Sequence, residues 1–386
     1  MNRLIHIFLK ILQLIIKKIN YGNGSTIPGH IAIKLNKNIL KWYTNKLNNG
    51  VILITGTNGK TTTSHLIKNG IDSFEKKVIF SSTGANLENG IVSSFIDSIP
   101  YFSKGNNDYG VFEVDELNLK ILLNNISPLS IVFLNLSRDQ LDRYAELEVI
   151  LNSWQTSLEK LTNTNIFIYK EDLLLNKLVF DKIIYFSNEL KFTSFLKGSF
   201  NEININASYK VLESLFPKNQ DKIKKVLESF KPVFGRGEKF IYNNNEITFL
   251  LNKNPSSFNE NLKLVIDLSA TYPHNNNIVV VGLNNNIADG KDISWIYDVQ
   301  ENLLTNLDRN IDSWVCLGNR YIDIATRLKY AGIKEEKTVL IDSFLKFKSF
   351  MDGFEGKNIW VLPTYTSMLT MRSIFNESNL GKSIKA

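Results

Sequence analysis

The chain has 386 residues, 43% of them hydrophobic and 22% charged. This is enough for two or three domains with hydrophobic cores, and it excludes a disordered chain. The formal net charge of +7 suits phosphate-rich ligands or an anionic membrane surface, but it is too diffuse to indicate a nucleic-acid-binding protein. A single cysteine, Cys316, excludes a disulfide framework and a cysteine-rich zinc site within the chain, and favours a reducing compartment, the cytoplasm.

The first predicted element is an amphipathic helix over residues 4–16. His6, Lys10, Gln13 and Lys17 follow one another at spacings of four, three and four, so they line one helical face, and apolar residues cover the rest. The apolar run is too short and too interrupted for a membrane-spanning helix, and no small-residue cleavage site follows it. A helix docked on the protein is favoured over a helix lying at the inner face of the membrane, and peripheral membrane contact stays open.

Short apolar runs separated by helical patterns predict an α/β fold with a mostly parallel sheet. The first strands are expected at residues 51–54, 77–81, 109–114 and 130–134. A second α/β unit of Rossmann-like type follows, with strands expected at residues 262–266, 278–281, 313–317, 338–341 and 359–362. The domain boundaries expected from this pattern are 1–48 for a helix and lead-in segment, 49–232 for a central domain and 233–386 for a C-terminal domain.

A phosphate-binding loop is predicted between the first strand of the central domain and the helix that follows. Residues 56–63 read Gly-Thr-Asn-Gly-Lys-Thr-Thr-Thr, and Ile54 stands where the general consensus has glycine, so the spacing is a variant. Backbone N–H groups and the helix N-terminus favour phosphate, Lys60 is expected to reach the β- and γ-phosphates, and the Thr61 hydroxyl to bind Mg²⁺. The predicted nucleotide-binding residues of this loop are Gly56, Thr57, Asn58, Gly59, Lys60, Thr61 and Thr62.

Acidic residues follow the third strand of the central domain. Glu113 and Glu116 flank Val114 and Asp115, at the carboxyl end of a predicted parallel strand, where an open sheet binds ligands. Carboxylate oxygens suit Mg²⁺. A solvated acidic turn is the alternative interpretation.

The sequence of the phosphate loop resembles that of the Mur ligases, ATP-dependent enzymes that form amide bonds. Further along, residues 138–146 (RDQLDRYAE) and 288–298 (ADGKDISWIYD) resemble segments of the MurT branch of that family. The resemblance implies that Glu113 binds Mg²⁺, with Glu116 as second choice. It also implies that Asn201, in the segment GSFNEIN, and Arg236, in the segment FGRGE, contact the nucleotide.

The resemblance also implies a reaction and a partner. In the MurT branch, ATP phosphorylates the α-carboxylate of D-Glu in the lipid II stem peptide, and ammonia from a GatD-like glutaminase subunit converts it to D-isoglutamine. Within this chain Cys316 lies in an apolar strand without basic neighbours, so the chain itself has no glutaminase nucleophile. An aspartate of the C-terminal domain is expected to face the glutaminase: Asp292, with Asp289 and Asp298 as alternatives, or these aspartates only cap turns and helices. The catalytic residues implied are therefore Lys60, Glu113 and Asp292.

Two departures from the family pattern keep other functions open. Gln140 replaces the usual histidine, and the four-cysteine zinc ribbon common in the MurT branch is missing, so no zinc site is expected. The alternatives are an amino-acid-adding Mur ligase, or a nucleotide-binding scaffold that has lost its chemistry.

Overall fold

The structure, a computed structural model, describes residues 2–19, 26–81, 86–101, 106–137, 147–232, 235–271, 276–377 and 382–383. The chain divides into two compact units. The first consists of Met1–Ser137, Glu146–Ser194 and Asn201–Phe230, and the second of Arg138–Ala145, Phe195–Phe200 and Lys231–Ala386.

The first unit is built on a six-stranded parallel sheet with the strand order β2-β3-β1-β4-β5-β6. Its strands are β1 Gly50–Thr55, β2 Val78–Phe80, β3 Tyr109–Glu113, β4 Ser130–Phe133, β5 Asn165–Tyr169 and β6 Ile183–Phe186. The residues of β1, β3 and β4 are nearly all buried, as expected for parallel strands covered by helices on both faces. The third strand in the order, β1, therefore lies in the middle of the unit and directs its carboxyl end between those of β3 and β4.

Nine helices accompany this sheet in the described part of the chain: α1 Asn2–Ile19, α2 Ile27–Leu35, α3 Ile39–Thr44, α4 Lys60–Asp72, α5 Glu88–Ser98, α6 Asn118–Leu123, α7 Leu147–Leu158, α8 Ser199–Leu215 and α9 Gln220–Glu228. The predicted N-terminal helix thus exists as α1 and is docked on the protein. Its polar face points inward, because His6 and Gln13 are buried together with Leu9, whereas Phe8 and Leu14 are exposed. Among the described residues, no helix is both long and apolar enough to cross a membrane.

The second unit contains a seven-stranded mixed sheet with the order β11-β10-β9-β12-β8-β7-β13. Its strands are β7 Arg236–Tyr242, β8 Asn245–Leu250, β9 Asn277–Gly282, β10 Ser313–Leu317, β11 Thr338–Leu340, β12 Asn358–Pro363 and β13 Lys382–Ser383. The pairs β7–β8 and β7–β13 are antiparallel and the remaining pairs are parallel. Its helices are α10 Pro255–Ser269, α11 Glu301–Asp308, α12 Tyr321–Tyr330, α13 Phe344–Asp352 and α14 Tyr365–Glu377.

One predicted strand is wrong. Residues 262–266 lie within helix α10 instead of forming a strand. The Asn254 side chain accepts the N–H of Ser257 at 2.7 Å and the Ser257 hydroxyl accepts the N–H of Asn254, which makes a capping box, and Pro255 occupies the first helical turn. Phe258, Leu262 and Val265 are buried at helical spacing, so the apolar run is the core-facing stripe of a helix.

Candidate active site

The segment that joins β1 to α4 forms a loop in which glycine is required at two positions. Gly56 and Gly59 have φ angles of +134° and +90°, a region that residues with a side chain rarely adopt. A Cβ atom at position 56 would come within 2.8 Å of the Asn135 carbonyl oxygen, and one at position 59 would overlap the side-chain oxygen of Asn204. The chain therefore needs both glycines to keep this loop closely packed against β4 and α8.

Asn135, directly after β4, holds the loop in place. Its side-chain oxygen accepts the N–H of Asn58 at 2.9 Å, and its amide group donates to the Asn58 carbonyl at 2.9 Å. The Asn135 carbonyl accepts the N–H of Thr57 at 3.1 Å. The Thr57 hydroxyl donates to the carbonyl of Ser137 at 2.9 Å and accepts its N–H at 3.0 Å. The first half of the loop is thus fixed by hydrogen bonds to Asn135 and Ser137, and the first N–H groups of α4 point away from the body of the helix, as at any helix start.

Lys60 opens α4 and its ammonium group lies inside the loop. The side chain is 8% exposed and donates to the carbonyl oxygens of Gly56 and Thr57. It forms an ion pair with Glu116 at 3.2 Å, and Glu116 is itself buried. The Glu116 carbonyl accepts the indole N–H of Trp154 at 2.8 Å, which fixes the turn that carries the carboxylate. The ammonium group is thereby held within the loop that is predicted to bind phosphate.

Thr61, the residue after Lys60, and Glu113 bring oxygen atoms together. The Thr61 hydroxyl donates to Glu113 Oε2 at 2.7 Å, and the Ser64 hydroxyl lies 3.3 Å from Glu113 Oε1. Glu113 pairs with Ile54 across the sheet, so the β1–β3 register sets this contact. Hydroxyl and carboxylate oxygens are ligands of Mg²⁺, which keeps several waters and needs few protein ligands. Within the described ranges, no group of three or more His, Cys, Asp or Glu side chains is arranged to hold a metal ion.

Asn201 lies in a short chain of polar side chains that ends at α4. The Thr63 hydroxyl donates to Asn204 Oδ1 at 3.3 Å, and the Asn204 amide donates to Asn201 Oδ1 at 3.3 Å. The side chains of Thr63, Asn201 and Asn204 are all buried, so these hydrogen bonds are shielded from water. The structure therefore connects the predicted nucleotide residue Asn201 to the helix that begins at Lys60.

The predicted residues of the second unit differ in what they contact. Arg236 begins β7 opposite Leu250 and is partly exposed. Asp289 is buried, and its carboxylate accepts the Thr366 N–H at 2.7 Å and the Thr366 hydroxyl at 2.5 Å, so it caps the start of α14. Asp292 is partly exposed and its Oδ1 accepts the N–H of the nearby Ser294 at 2.8 Å.

Asp298 is exposed at the end of the short 3₁₀ turn Ser294–Asp298. Of the three aspartates, the structure thus commits Asp289 to a structural role and leaves the carboxylates of Asp292 and Asp298 nearer the surface. The segment 138–146, with Gln140, lies outside the described residues.

Comparison with known proteins assigns both units. Residues 54–243 match the model of the Mur ligase middle domain, and residues 251–368 match the model of the MurT ligase C-terminal domain. The chain belongs to the MurT branch of the Mur ligase family. The resemblance stated from the sequence is confirmed, and the chain is an ATP-dependent ligase.

Curated relatives of this Mur ligase carry one name. "Lipid II isoglutaminyl synthase (glutamine-hydrolyzing) subunit MurT" from Staphylococcus aureus strain COL is 27% identical over 93% of this chain and 94% of its own length. The protein of the same name from Streptococcus pneumoniae strain R6 is 25% identical over 92% of each chain.

Solved Mur ligases share the fold at low sequence identity. The MurF ligase of Thermotoga maritima in complex with ADP has a TM-score of 0.68 at 15% identity, covering 90% of this chain and 84% of that one. MurC of the same organism has a TM-score of 0.62 at 16% identity, covering 91% of this chain and 82% of that one. The predicted α/β fold with a Mur-ligase-like central domain is therefore confirmed.

Sequence reasoning gave no role to three residues of this Mur ligase that the structure connects to the predicted sites. Asn135 braces the phosphate loop, Asn204 contacts α4, and Thr366 binds Asp289. A signal was present for Asn135, because it directly follows the predicted strand 130–134 at the ligand-binding edge of the sheet. No sequence signal pairs Thr366 with Asp289, since 77 residues separate them.

Proposed function

We propose that this chain is the synthetase subunit of a lipid II isoglutaminyl synthase: it amidates the α-carboxylate of D-Glu in the stem peptide of lipid II, with ammonia from a GatD-like glutaminase partner. The curated relatives are named for this activity, and this chain aligns with 94% and 92% of their length. The observation that carries the proposal is the joint position of Lys60, Thr61 and Glu113 around one glycine-rich loop.

The residues present fit ATP and Mg²⁺. A Cβ atom at either loop glycine would collide with Asn135 or Asn204. The loop therefore has no side chains at these two positions, which lets its backbone N–H groups approach a phosphate. Thr61 and Glu113 would hold the ion through oxygen atoms, and Lys60 would contact the phosphates. When bound, Mg²⁺ neutralises charge on the transferring phosphoryl group.

The proposed reaction has two steps, formation of an acyl phosphate and its attack by ammonia. A carboxylate oxygen of D-Glu forms a bond to the γ-phosphorus of ATP, and the bond from that phosphorus to its bridging oxygen breaks and releases ADP. Ammonia then bonds to the carboxyl carbon, phosphate leaves with the electron pair of the carbon–oxygen bond, and the nitrogen loses a proton. The Lys60 ammonium, already held inside the loop, stabilises the negative charge that develops on the phosphoryl oxygens.

The source of ammonia lies outside this chain in the proposal. Cys316, the one cysteine, is buried in β10, and burial raises the pKa of its thiol to about 12, so it is a poor nucleophile at neutral pH. We assign Asp292 as the residue that positions a histidine of the glutaminase partner, with Asp298 as the alternative. Asp289 is set aside because it is buried and bonded to Thr366. The heterodimer would act in the cytoplasm, at the inner face of the membrane where its lipid substrate lies.

The test is lipid II amidation by the purified chain with ammonium as the nitrogen donor, and by the chain plus its glutaminase with glutamine. We expect ATP-dependent formation of D-isoglutamine in both assays, detected by mass spectrometry of the stem peptide. ATP turnover that depends on an amino acid and ignores ammonium would identify an amino-acid-adding ligase instead. ATP binding without turnover under any of these conditions would identify a scaffold.

A further inference from the structure

The N-terminal helix α1 is docked with its polar side facing the protein. His6 Nδ1 and the Tyr43 hydroxyl share a hydrogen bond of 2.9 Å, and Lys10 donates to the carbonyls of Asp97, at 3.2 Å, and Ile99. Gln13 is also buried. These hydrogen bonds attach the helix to α3 and to the end of α5, and they replace hydrogen bonds that the same polar groups would make with water.

The opposite side of α1 is apolar and exposed. Its side chains are between 49% and 73% accessible to solvent: Leu4, Phe8, Ile11, Leu14 and Ile15. Four of these positions, 4, 8, 11 and 15, are separated by four, three and four residues and so form one stripe along the helix. Single exposed apolar residues are normal, but a contiguous apolar stripe on a surface marks an interaction site. The helix therefore presents to its surroundings the side that a core-facing helix would bury.

The charge of the N-terminal segment favours an anionic partner for this stripe. Residues 1–50 contain eight of the 45 Lys and Arg residues and none of the 38 Asp and Glu residues, so they carry a formal +8 and the rest of the chain carries −1. The net positive charge of the chain therefore comes from the segment that includes α1, α2 and α3. Two copies of this segment would repel one another, whereas anionic lipid headgroups would attract it.

We propose that α1 lies in the plane of an anionic membrane surface, with the stripe from Leu4 to Ile15 among the acyl chains and exposed basic residues of the segment, Arg3, Lys34 and Lys37, near the headgroups. With 18 residues, α1 extends about 27 Å along the surface. Helices with a strong apolar face and basic flanks bind membranes in this way, and the strength follows apolar area and anionic lipid content. The inference rests on the exposed face of α1 and the charge of residues 1–50, and it does not depend on the proposed amidation reaction.

The experiment is flotation of the full-length chain with vesicles made of equal parts of phosphatidylglycerol and phosphatidylcholine, and with vesicles of phosphatidylcholine alone. We expect binding to the anionic vesicles, weaker binding to the neutral ones, and a decrease as salt is added. The double variant Phe8→Ser/Ile11→Ser removes two exposed apolar side chains from the stripe and should weaken binding to anionic vesicles by roughly 10- to 100-fold.

The matched control is Leu173→Ser/Leu345→Ser, which removes two exposed leucines far from α1 in sequence and should bind vesicles as the unchanged chain does. All variants alter exposed side chains, and thermal unfolding checks that each remains folded. Absence of vesicle binding by the unchanged chain, or equal binding by the Phe8→Ser/Ile11→Ser variant, overturns the proposal. Self-association of the unchanged chain that this variant abolishes, without any vesicle binding, assigns the stripe to a second protein copy and also overturns it.

Discussion

The loops that follow β1 and β9 occupy equivalent places in their sheets and do different things. Each follows the third strand in its sheet order, and each strand has parallel neighbours on both sides. After β1, two glycines and Asn135 fix a closely packed loop that encloses the Lys60 ammonium group. After β9, the polar side chains turn inward and fasten the beginning of α14.

The details of the second loop explain the difference. The N–H of Asn284 donates to the Thr364 hydroxyl at 3.0 Å, and its side-chain amide donates to the Thr366 hydroxyl at 2.9 Å. Asp289 accepts from Thr366 twice and from the N–H of Asn286 at 3.3 Å. The carboxyl edge of a parallel sheet is a place where a ligand site can form. At the end of β1 a lysine, a hydroxyl and two carboxylates gather at the start of a helix, whereas at the end of β9 the carboxylate of Asp289 caps α14.

The largest expected effect comes from breaking the first loop. Lys60→Ala removes the ammonium group from the phosphate site, and we expect both glutamine-driven and ammonium-driven amidation to fall by roughly 10²–10³-fold. Lipid II amidation assays with each nitrogen source provide the measurement. Normal turnover would remove the phosphate-loop assignment.

A control separates chemistry from folding in that experiment. Lys60→Ala also leaves Glu116 as a buried carboxylate without its partner, which can lower stability by roughly 3–5 kcal/mol. The double variant Lys60→Ala/Glu116→Gln removes that charge and should unfold closer to the unchanged protein, while its amidation stays as low as in the single variant.

The next largest effect is expected at Asp292, where a substitution should affect glutamine-driven amidation and not ammonium-driven amidation. Asp292→Asn should lower glutamine-driven amidation by about 10²-fold, because an amide cannot stabilise a positively charged histidine of the partner, while ammonium-driven amidation persists. The reconstituted heterodimer is assayed with both nitrogen sources, with Asp298→Asn as the comparison. Equal loss of both activities would move Asp292 to the synthetase site or to folding, and retained glutamine-driven activity would end its assignment to the interface.

The third effect concerns stability in the second loop. Asp289→Ala leaves the N–H of Thr366 without its acceptor and should lower the free energy of unfolding by about 1–3 kcal/mol. Asp267→Ala, an exposed aspartate of α10, is the matched control and should change it by less than about 0.5 kcal/mol. Urea denaturation followed by circular dichroism measures both. An Asp289→Ala protein as stable as the control would contradict the structural role given to this carboxylate.

The smallest effect is a pH dependence of α1. Burial lowers the pKa of His6 from 6.5, and Lys10 and Lys46 lower it further, against the carbonyls of Pro100 and Ile99, which raise it. The folded protein thus binds the proton more weakly than the unfolded chain. Docking of α1 should be fully stable above pH 6.5 and weaken as the pH falls from 6.5 to the lower folded-state pKa.

Hydrogen exchange of the α1 amides as a function of pH measures this dependence. His6→Gln cannot titrate and should show no weakening over the same range. Protection that is independent of pH in the unchanged protein would show that His6 does not control the docking.

Local patterns made the phosphate loop predictable, whereas its surroundings depend on pairing. Strand, glycines, Lys60 and helix are consecutive in sequence, so their geometry follows from neighbours alone. The Lys60–Glu116 ion pair requires the β1–β3 register, which no local pattern specifies. In the same way, the spacing of the polar residues predicted the faces of α1, but it did not determine which face contacts the protein.

Two errors in the second unit have definite causes. The composition of the apolar run 262–266 is compatible with a strand. The capping box at Asn254 starts a helix that continues through this run. The predicted strands do not include the hairpin β7–β8. In the structure Asn243 and Asn244 have φ angles of +46° and +59° and form the kind of two-residue turn that joins antiparallel strands. Such an Asn-Asn pair between two alternating runs was a usable signal.

The position of β12 has a consequence for the order in which the second sheet assembles. β12 lies between β8 and β9 and pairs with both, although β8 and β9 precede it by long stretches of chain. The hairpin β7–β8 closes locally through its Asn-Asn turn, and β9 and β10 meet across one helical connection, so each half can form early. Until β12 arrives during synthesis, each half exposes an unpaired strand edge to other chains, and its insertion joins them into one continuous sheet.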